Sequence, residues 1–274
     1  MSLDERADDA MSGPINASDP VLLRRRRSIP LLLAASLAIN VLVVAFEVWK
    51  FVRKGGLQVL SGRFEGLQPE HAPFQLDMVD RYARLPHSDQ DIVFLGDSQI
   101  AAGPWADFYG PVKNRGIGGQ TSGGLLDVLD RLKLGRPRAI FLLVGTNDLA
   151  NEVPLDQVVR NHDKLLGRIK AEGPSTSVVV LGVLPVNQSL GPVQSNGDVR
   201  ELNRRLAAMI REKHPDVTFL DLTDFFMDGA GDLRRDLTTD GLHLSFEGYL
   251  LLEQHIREFV PSPVPRSGPV TDRE

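Results

Sequence analysis

Cysteine is absent from all 274 residues, which excludes a disulfide framework, a thiolate metal site and a cysteine nucleophile. An excess of positive charge is missing too. With a net charge of −5 and a pI near 5.7, no basic surface dominates and a nucleic-acid partner is not expected. Histidine is sparse, and His71, His87, His162, His214 and His255 share no metal-ligand spacing. His162 falls on an apolar helix face and reads as a packed residue. Gly116-x-Gly118 has Thr121 where a dinucleotide loop wants a third Gly or Ala, and no Walker A lysine follows a glycine-rich turn. No metal or organic cofactor is therefore expected. Gly-x-Ser-x-Gly is also lacking, because position 100 is Ile.

One long apolar run is present, close to the N-terminus. Residues 1–28 form a polar tail that reads as disordered and ends in the basic cluster Arg24-Arg25-Arg26-Arg27. From Ile29 to Phe46 there is no charge, and Val48, Trp49 and Phe51 extend the apolar character. Residues 29–52 are long enough for a membrane-crossing helix of roughly 20 residues, with Trp49 and Lys50 suited to the far interface. A cleaved signal peptide competes, but the run is longer than a usual signal core and Ala45-Phe46-Glu47 is a poor cleavage site. A buried core helix would not need an arginine collar. An uncleaved single-pass anchor is the favoured reading. The arginines argue for a cytoplasmic N-terminus and an extracytoplasmic C-terminal domain, although Lys50, Arg53 and Lys54 dilute the asymmetry. Residues 53–72 read as a juxtamembrane spacer, and 263–274 as a second disordered tail.

Between the tails, residues 73–262 alternate apolar strands with amphipathic helices. Phe74 to Leu85 reads as a short helix stopped by Pro86. The strand into Ser98 follows, then a short strand over Val112–Asn114 and a helix over Leu125–Leu134. Ala139–Val144 is a wholly apolar strand, and a helix starts near Pro154. Val178–Val183 is the next strand, a helix carries Leu202, Leu206, Met209 and Ile210, and Val217–Leu220 is the last strand. Phe246–Phe259 closes the domain as a helix. Apolar strands separated by such helices predict one α/β domain, a parallel sheet covered on both faces.

Four stretches stand out for chemistry. Asp91–Ser98 reads as a buried strand breaking into Gly96-Asp97-Ser98, which puts Ser98 at the carboxyl end of a strand, where open α/β sheets place ligands. Gly-Asp-Ser alone is also ordinary turn chemistry. Asn114–Gly119 and Gly145-Thr146-Asn147-Asp148 likewise follow strands, and Asp240-Gly241-Leu242-His243 precedes the last helix. A serine hydroxyl needs a base to take its proton, and the base needs an acceptor on its other nitrogen. His243 and Asp240 can supply that pair. The amides of Ser98 and Gly119 and the side chain of Asn147 can supply donors to a developing oxyanion. Taken singly, His243 could equally buttress a helix, and Asp148 reads as a residue that holds its own loop. Trp105, Phe108 and Tyr109 read either as helix packing or as pocket lining, and Pro185–Gly197 as a mobile loop near the site.

Taken together, in this order and spacing, the four stretches resemble the four sequence blocks of the SGNH (GDSL-type) hydrolase family over roughly residues 90–260. The resemblance implies a flavodoxin-like three-layer α/β/α fold with about five parallel strands, here preceded by one N-terminal transmembrane helix. It implies Ser98 as nucleophile, Asp240 and His243 as its triad partners, and Ser98, Gly119 and Asn147 as the oxyanion hole. The activity implied is that of a serine esterase or lipase acting on a carboxylic ester, of a lipid or an acylated glycan, without a cofactor. A glycan acyltransferase using the same acyl-enzyme and a silent membrane-bound binding module are the alternatives. The chain departs from the family at Gln99-Ile100-Ala101-Ala102-Gly103, where relatives often carry Ser or Thr two residues after the nucleophile. Gln120 stands where Asp is common.

Overall fold

The computed structural model describes residues 72–262 and, nearer the N-terminus, the helical residues 36, 37, 39–46 and 48. The chain divides into two compact units, residues 1–52 and 53–274. Most of the expected anchor (29–52) and all but the last residue of the expected spacer (53–72) lie outside the described residues, as do the tails 1–28 and 263–274. Those residues of the first unit that are described expose apolar side chains, including Leu37, Ile39, Leu42 and Val44. Among the described residues no helix is long and apolar enough to cross a membrane. The spanning helix expected from the sequence is therefore without structural support.

The second unit is a three-layer α/β domain. Helix α1 (Ala72–Arg84) leads into β1 (Ile92–Gly96), the short helices α2 (Ser98–Ala101) and α3 (Trp105–Tyr109), and β2 (Lys113–Gly116). Then come α4 (Ser122–Leu132), β3 (Ala139–Leu143), α5 (Thr146–Ala150), α6 (Leu155–Glu172) and β4 (Ser177–Leu181). Helix α7 (Asn196–Lys213), β5 (Val217–Leu220), α8 (Thr223–Phe226) and α9 (Phe246–Ile256) complete it. The five strands are parallel, in the order β2-β1-β3-β4-β5.

Alternation along the strands builds two cores. Val93, Leu95, Ile140, Leu142, Val178 and Val180 face α1, α4, α6 and α7, where Leu125, Leu165 and Leu202 meet them. Phe94, Phe141, Val179 and Leu181 face α2, α3, α8 and α9, against Ile100, Trp105, Phe226 and Leu252. Burying each such side chain contributes about 1.5–3 kcal/mol. Every residue of β1 and β3 is buried, as both faces of the sheet are covered there.

Strand order decides where a site can form. The chain steps from β1 outward to β2, then crosses back over β1 to β3. That reversal opens a crevice beyond the carboxyl ends of β1 and β3, where such sheets bind ligands. Gly96 ends β1 with Gly116 of β2 on one side and Leu143 of β3 on the other. A Cβ at Gly96 would lie 1.8 Å from the Leu143 carbonyl oxygen, itself the acceptor for the Asp97 amide at 3.2 Å.

Element boundaries differ from the sequence expectation where local chemistry overrides periodicity. Helix α4 starts three residues earlier than its apolar pattern, because Thr121 caps it by accepting the Gly124 amide at 3.0 Å. Strand β4 stops at Leu181 instead of Val183, and Gly182 donates to the Leu220 carbonyl as the chain leaves the sheet. The last helix is α only to Ile256, and Arg257–Phe259 is a 3₁₀ turn. Substituting Gly96 by Ala is expected to cost about 3 kcal/mol or more, because the obstacle is backbone on a neighbouring strand. A lower urea midpoint at unchanged slope would register it, and an unchanged midpoint would contradict the packing described.

Candidate functional site

Ser98 opens α2 directly after β1, held by its neighbours on both sides. Asp97 is the N-cap, its Oδ1 accepting the Gln99 amide at 2.9 Å. Asn114 of β2 donates from Nδ2 to the carbonyls of Ile100 (3.0 Å) and Ala101 (3.2 Å), bracing the far end of the same turn. Trp105 is packing and not pocket lining. It is 1% exposed, its ring stacks on Phe94 at 4.2 Å between centroids, and Nε1 donates to the Ile100 carbonyl at 2.8 Å. Phe108 and Tyr109 pack against the same cluster.

The loops after β2 and β3 meet beside this turn. Gly119 takes a φ of 71°, in the left-handed region where a side chain is strained. Asn147, in the first turn of α5, donates from Nδ2 to the Gln120 carbonyl at 3.0 Å, tying the two loops together. The Gln120 side chain is fully buried. Asp148 fixes the pair from below: one carboxylate oxygen accepts the Ser122 amide at 2.8 Å and the other the Ser122 hydroxyl at 2.6 Å. Asn161 donates to Ser122 Oγ at 2.9 Å. Burial pushes the Asp148 carboxyl up, and its bonds from Ser122 pull it back. His162, buried nearby, is packed, with Nδ1 against the Val158 carbonyl at 2.9 Å and its own pKa lowered by burial.

Helix α1 has a part in this site that its sequence did not announce. Gln75 Nε2 donates to the Gly118 carbonyl at 3.2 Å, and Tyr82 OH to the Gly116 carbonyl at 2.8 Å. Two side chains seven residues apart on one helix face thus hold the glycine loop from outside. The polar residues interrupting an otherwise apolar face, with Val79 between them, are the signal that could have shown it.

The fourth stretch closes over Ser98 from the far end of the domain. Asp240 Oδ1 accepts the amides of Leu242 (3.0 Å) and His243 (2.8 Å), and Gly241 turns at a φ of 93°. His243 Nδ1 lies 2.7 Å from Asp240 Oδ2, and Nε2 lies 3.0 Å from Ser98 Oγ. Partial burial raises the Asp240 carboxyl, but the bonds from the His243 ring and the two amides outweigh this and lower it to about 2. Pro185–Gly197, read as a mobile loop, is a hydrogen-bonded strap. Asn187 donates its amide to the Gly241 carbonyl at 2.7 Å, and Gln194 Nε2 reaches the Thr146 carbonyl at 3.3 Å. Among the described residues, no group of three or more acidic, His or Cys side chains is arranged to hold a metal ion.

Residues 94–251 match the GDSL-like lipase/acylhydrolase family. The chain belongs to that family. Among curated relatives, the alpha1 subunit of platelet-activating factor acetylhydrolase IB from Homo sapiens is 31% identical over 203 residues, covering 69% of this chain and 79% of the relative. The Bos taurus subunit is also 31% identical, over 69% of this chain and 78% of its own length. Among solved structures, one from Streptococcus pneumonia described as a platelet activating factor is 29% identical, with a TM-score of 0.64, covering 74% of this chain and 97% of that one. An acylhydrolase structure from Bacteroides fragilis is 26% identical at a TM-score of 0.56, covering 67% and 94% of the two chains. Within this GDSL domain, the structure draws Ser98, Asp240 and His243 into one hydrogen-bonded row and gathers Gly119 and Asn147 in the loops beside it.

The capping carboxylate carries a pH signature. Burial raises Asp97 to about 7, with the Gln99 amide opposing and nearby Asp148 adding to the rise. The folded state therefore binds this proton more tightly than the unfolded chain, whose Asp titrates near about 3.9. The stabilisation is present below the unfolded value and lost as pH rises through the folded one. Asp97→Asn keeps the capping oxygen without the charge. Its stability relative to wild type is expected to climb from about pH 4 to about pH 7 and then level off. Urea denaturation across that range measures the difference, and a flat difference would contradict it.

Proposed function

We propose that this GDSL-family hydrolase is a serine esterase that cleaves carboxylic esters through an acyl-enzyme on Ser98. The observation that carries the reading is the continuous row from Ser98 Oγ to His243 Nε2 at 3.0 Å and from His243 Nδ1 to Asp240 Oδ2 at 2.7 Å. Ser98 Oγ attacks the ester carbonyl while Nε2 takes its proton. The imidazolium that forms is held by Asp240, a carboxylate lowered to about 2 and so ionised wherever the enzyme works. The same proton passes to the leaving alcohol as the tetrahedral intermediate collapses. Water, deprotonated by His243, then attacks the acyl-enzyme, and as the acyl–Oγ bond breaks His243 returns that proton to Ser98 Oγ, releasing the carboxylic acid and restoring the serine. The amides of Ser98 and Gly119 and the side-chain amide of Asn147 receive the negative charge on the carbonyl oxygen.

Two features bear on the substrate. The His243 and Asp240 side chains are 37% and 55% exposed, so water reaches the base, which favours hydrolysis over transfer to a bound acceptor. The acetylhydrolase relatives point to a short acyl group, on a lipid or an acylated glycan. The uncharged run over residues 29–46 favours a protein anchored at a membrane, and the preceding Arg24-Arg25-Arg26-Arg27 favours a cytoplasmic N-terminus with this domain outside.

Ser98→Ala is expected to abolish turnover of p-nitrophenyl acetate while leaving the thermal unfolding transition in place. Undiminished turnover would remove this mechanism. Asp240→Asn, which leaves the imidazole without an ionised partner, is expected to lower kcat by roughly 10²- to 10⁴-fold.

A further inference from the structure

Gln99 follows the nucleophile directly and is 3% exposed. All of its polar groups are engaged. Its main-chain amide donates to Asp97, and its carbonyl accepts the Tyr249 hydroxyl of α9 at 2.7 Å. Burial, with Asp97 adding to it, raises the Tyr249 phenol, so that hydroxyl stays a donor. The Gln99 side chain reaches across the crevice: Nε2 donates to the Leu242 carbonyl at 2.5 Å, and Oε1 accepts the Leu244 amide at 3.4 Å. Leu242 and Leu244 flank His243.

The remaining bonds of the histidine loop do a different job. Thr238 Oγ1 donates to the His243 carbonyl and accepts the Gly241 amide, both at 2.8 Å. Thr239 donates its amide to the His243 carbonyl at 3.1 Å, and Asp240 accepts two amides of the same turn. These contacts join residues 238–243 to one another, so they set the loop's shape without setting its distance from Ser98. Asn187 ties Gly241 to the strap after β4, on a different element from the nucleophile. Gln99 spans from the nucleophile's own turn to both sides of the base.

We infer that Gln99 is a positioning residue: its side-chain amide clamps the backbone on both sides of His243 and thereby fixes the imidazole at bonding distance from Ser98. The inference rests on the triad reading above. An apolar residue of the same size could fill the space but could not choose a register. A donor and an acceptor on one planar group, aimed at a carbonyl and an amide two residues apart, admit one placement of the loop. Proton transfer needs that placement twice in each turnover, to and from Nε2.

Gln99→Met keeps nearly the same length and removes both bonds. In the full-length protein its kcat for p-nitrophenyl acetate is expected to fall about ten- to hundredfold, as a base displaced by about 1 Å would cause. KM is expected to stay within about twofold, since substrate contacts are not altered. The proton NMR signal of the His243 Nδ1–H is expected to broaden as the loop exchanges with solvent, while the circular dichroism spectrum is retained. Gln99→Asn, which keeps the amide but is too short to span the gap, is expected to show the same split, and serves if the Met variant does not fold. A folded variant with wild-type kcat would overturn the inference. So would a loss of kcat that only tracks a lost folded fraction while the Nδ1–H signal stays sharp. Turnover surviving in Ser98→Ala would sink the esterase reading instead, so the two failures are told apart.

Discussion

A hydrogen bond of 3.0 Å between Ser98 and His243 joins positions 145 residues apart, and much of the surrounding structure serves to hold that length. A side-chain bond at a half-open site contributes little to stability, so it cannot organise the loops that carry it. They must already be in place. The sheet supplies the first half, because Gly96 lets β1 run close against β3 and deliver Ser98 at the crevice. Bracing from outside the sheet supplies the second half, through Asp240 and Thr238 within the histidine loop and Gln99 across to it. The proposed chemistry involves a few atoms, and part of their precision comes from a buried group, Gln99, that lies behind them.

The same division explains what could be read from the chain beforehand. Strands β1, β3 and β4 were legible because they are central and buried on both faces, which leaves continuous apolar runs. Strand β2, Lys113-Asn-Arg-Gly, is an edge strand and so need not be apolar. Its expected range, Val112–Asn114, began one residue early and ended two residues short for that reason. Helices α2, α3, α5 and α8 span four or five residues each, too few to show a helical period. Ser98, Asp240 and His243 could be picked out as candidates because a serine straight after a strand, and a histidine three residues from an aspartate, are recognisable from residue type alone. Gln99 could not, because its partners are backbone groups and no residue type marks a carbonyl as one that will be grasped from across the fold; Gln75 and Tyr82 showed only as polar breaks in an apolar helix face, with no sign of what they hold.

Carboxylates show how burial sorts structural from chemical roles. Asp97 and Asp148 are buried at 1% exposure each, and burial raises both. Each offsets part of that cost by accepting bonds from groups that must be held still, the Gln99 amide for one and Ser122 for the other. Neither environment suits a group that must stay charged beside an imidazolium. Asp240 is in the opposite setting, over half exposed and facing three N–H donors. Partial burial raises it, but those donors together outweigh that and keep it ionised. That placement has a mechanical cost, since a surface loop is where structure loosens first. The buried amide of Gln99 meets it: in the proposed triad the exposed carboxylate keeps its charge through its N–H donors, and the loop keeps its position through a residue that solvent does not reach.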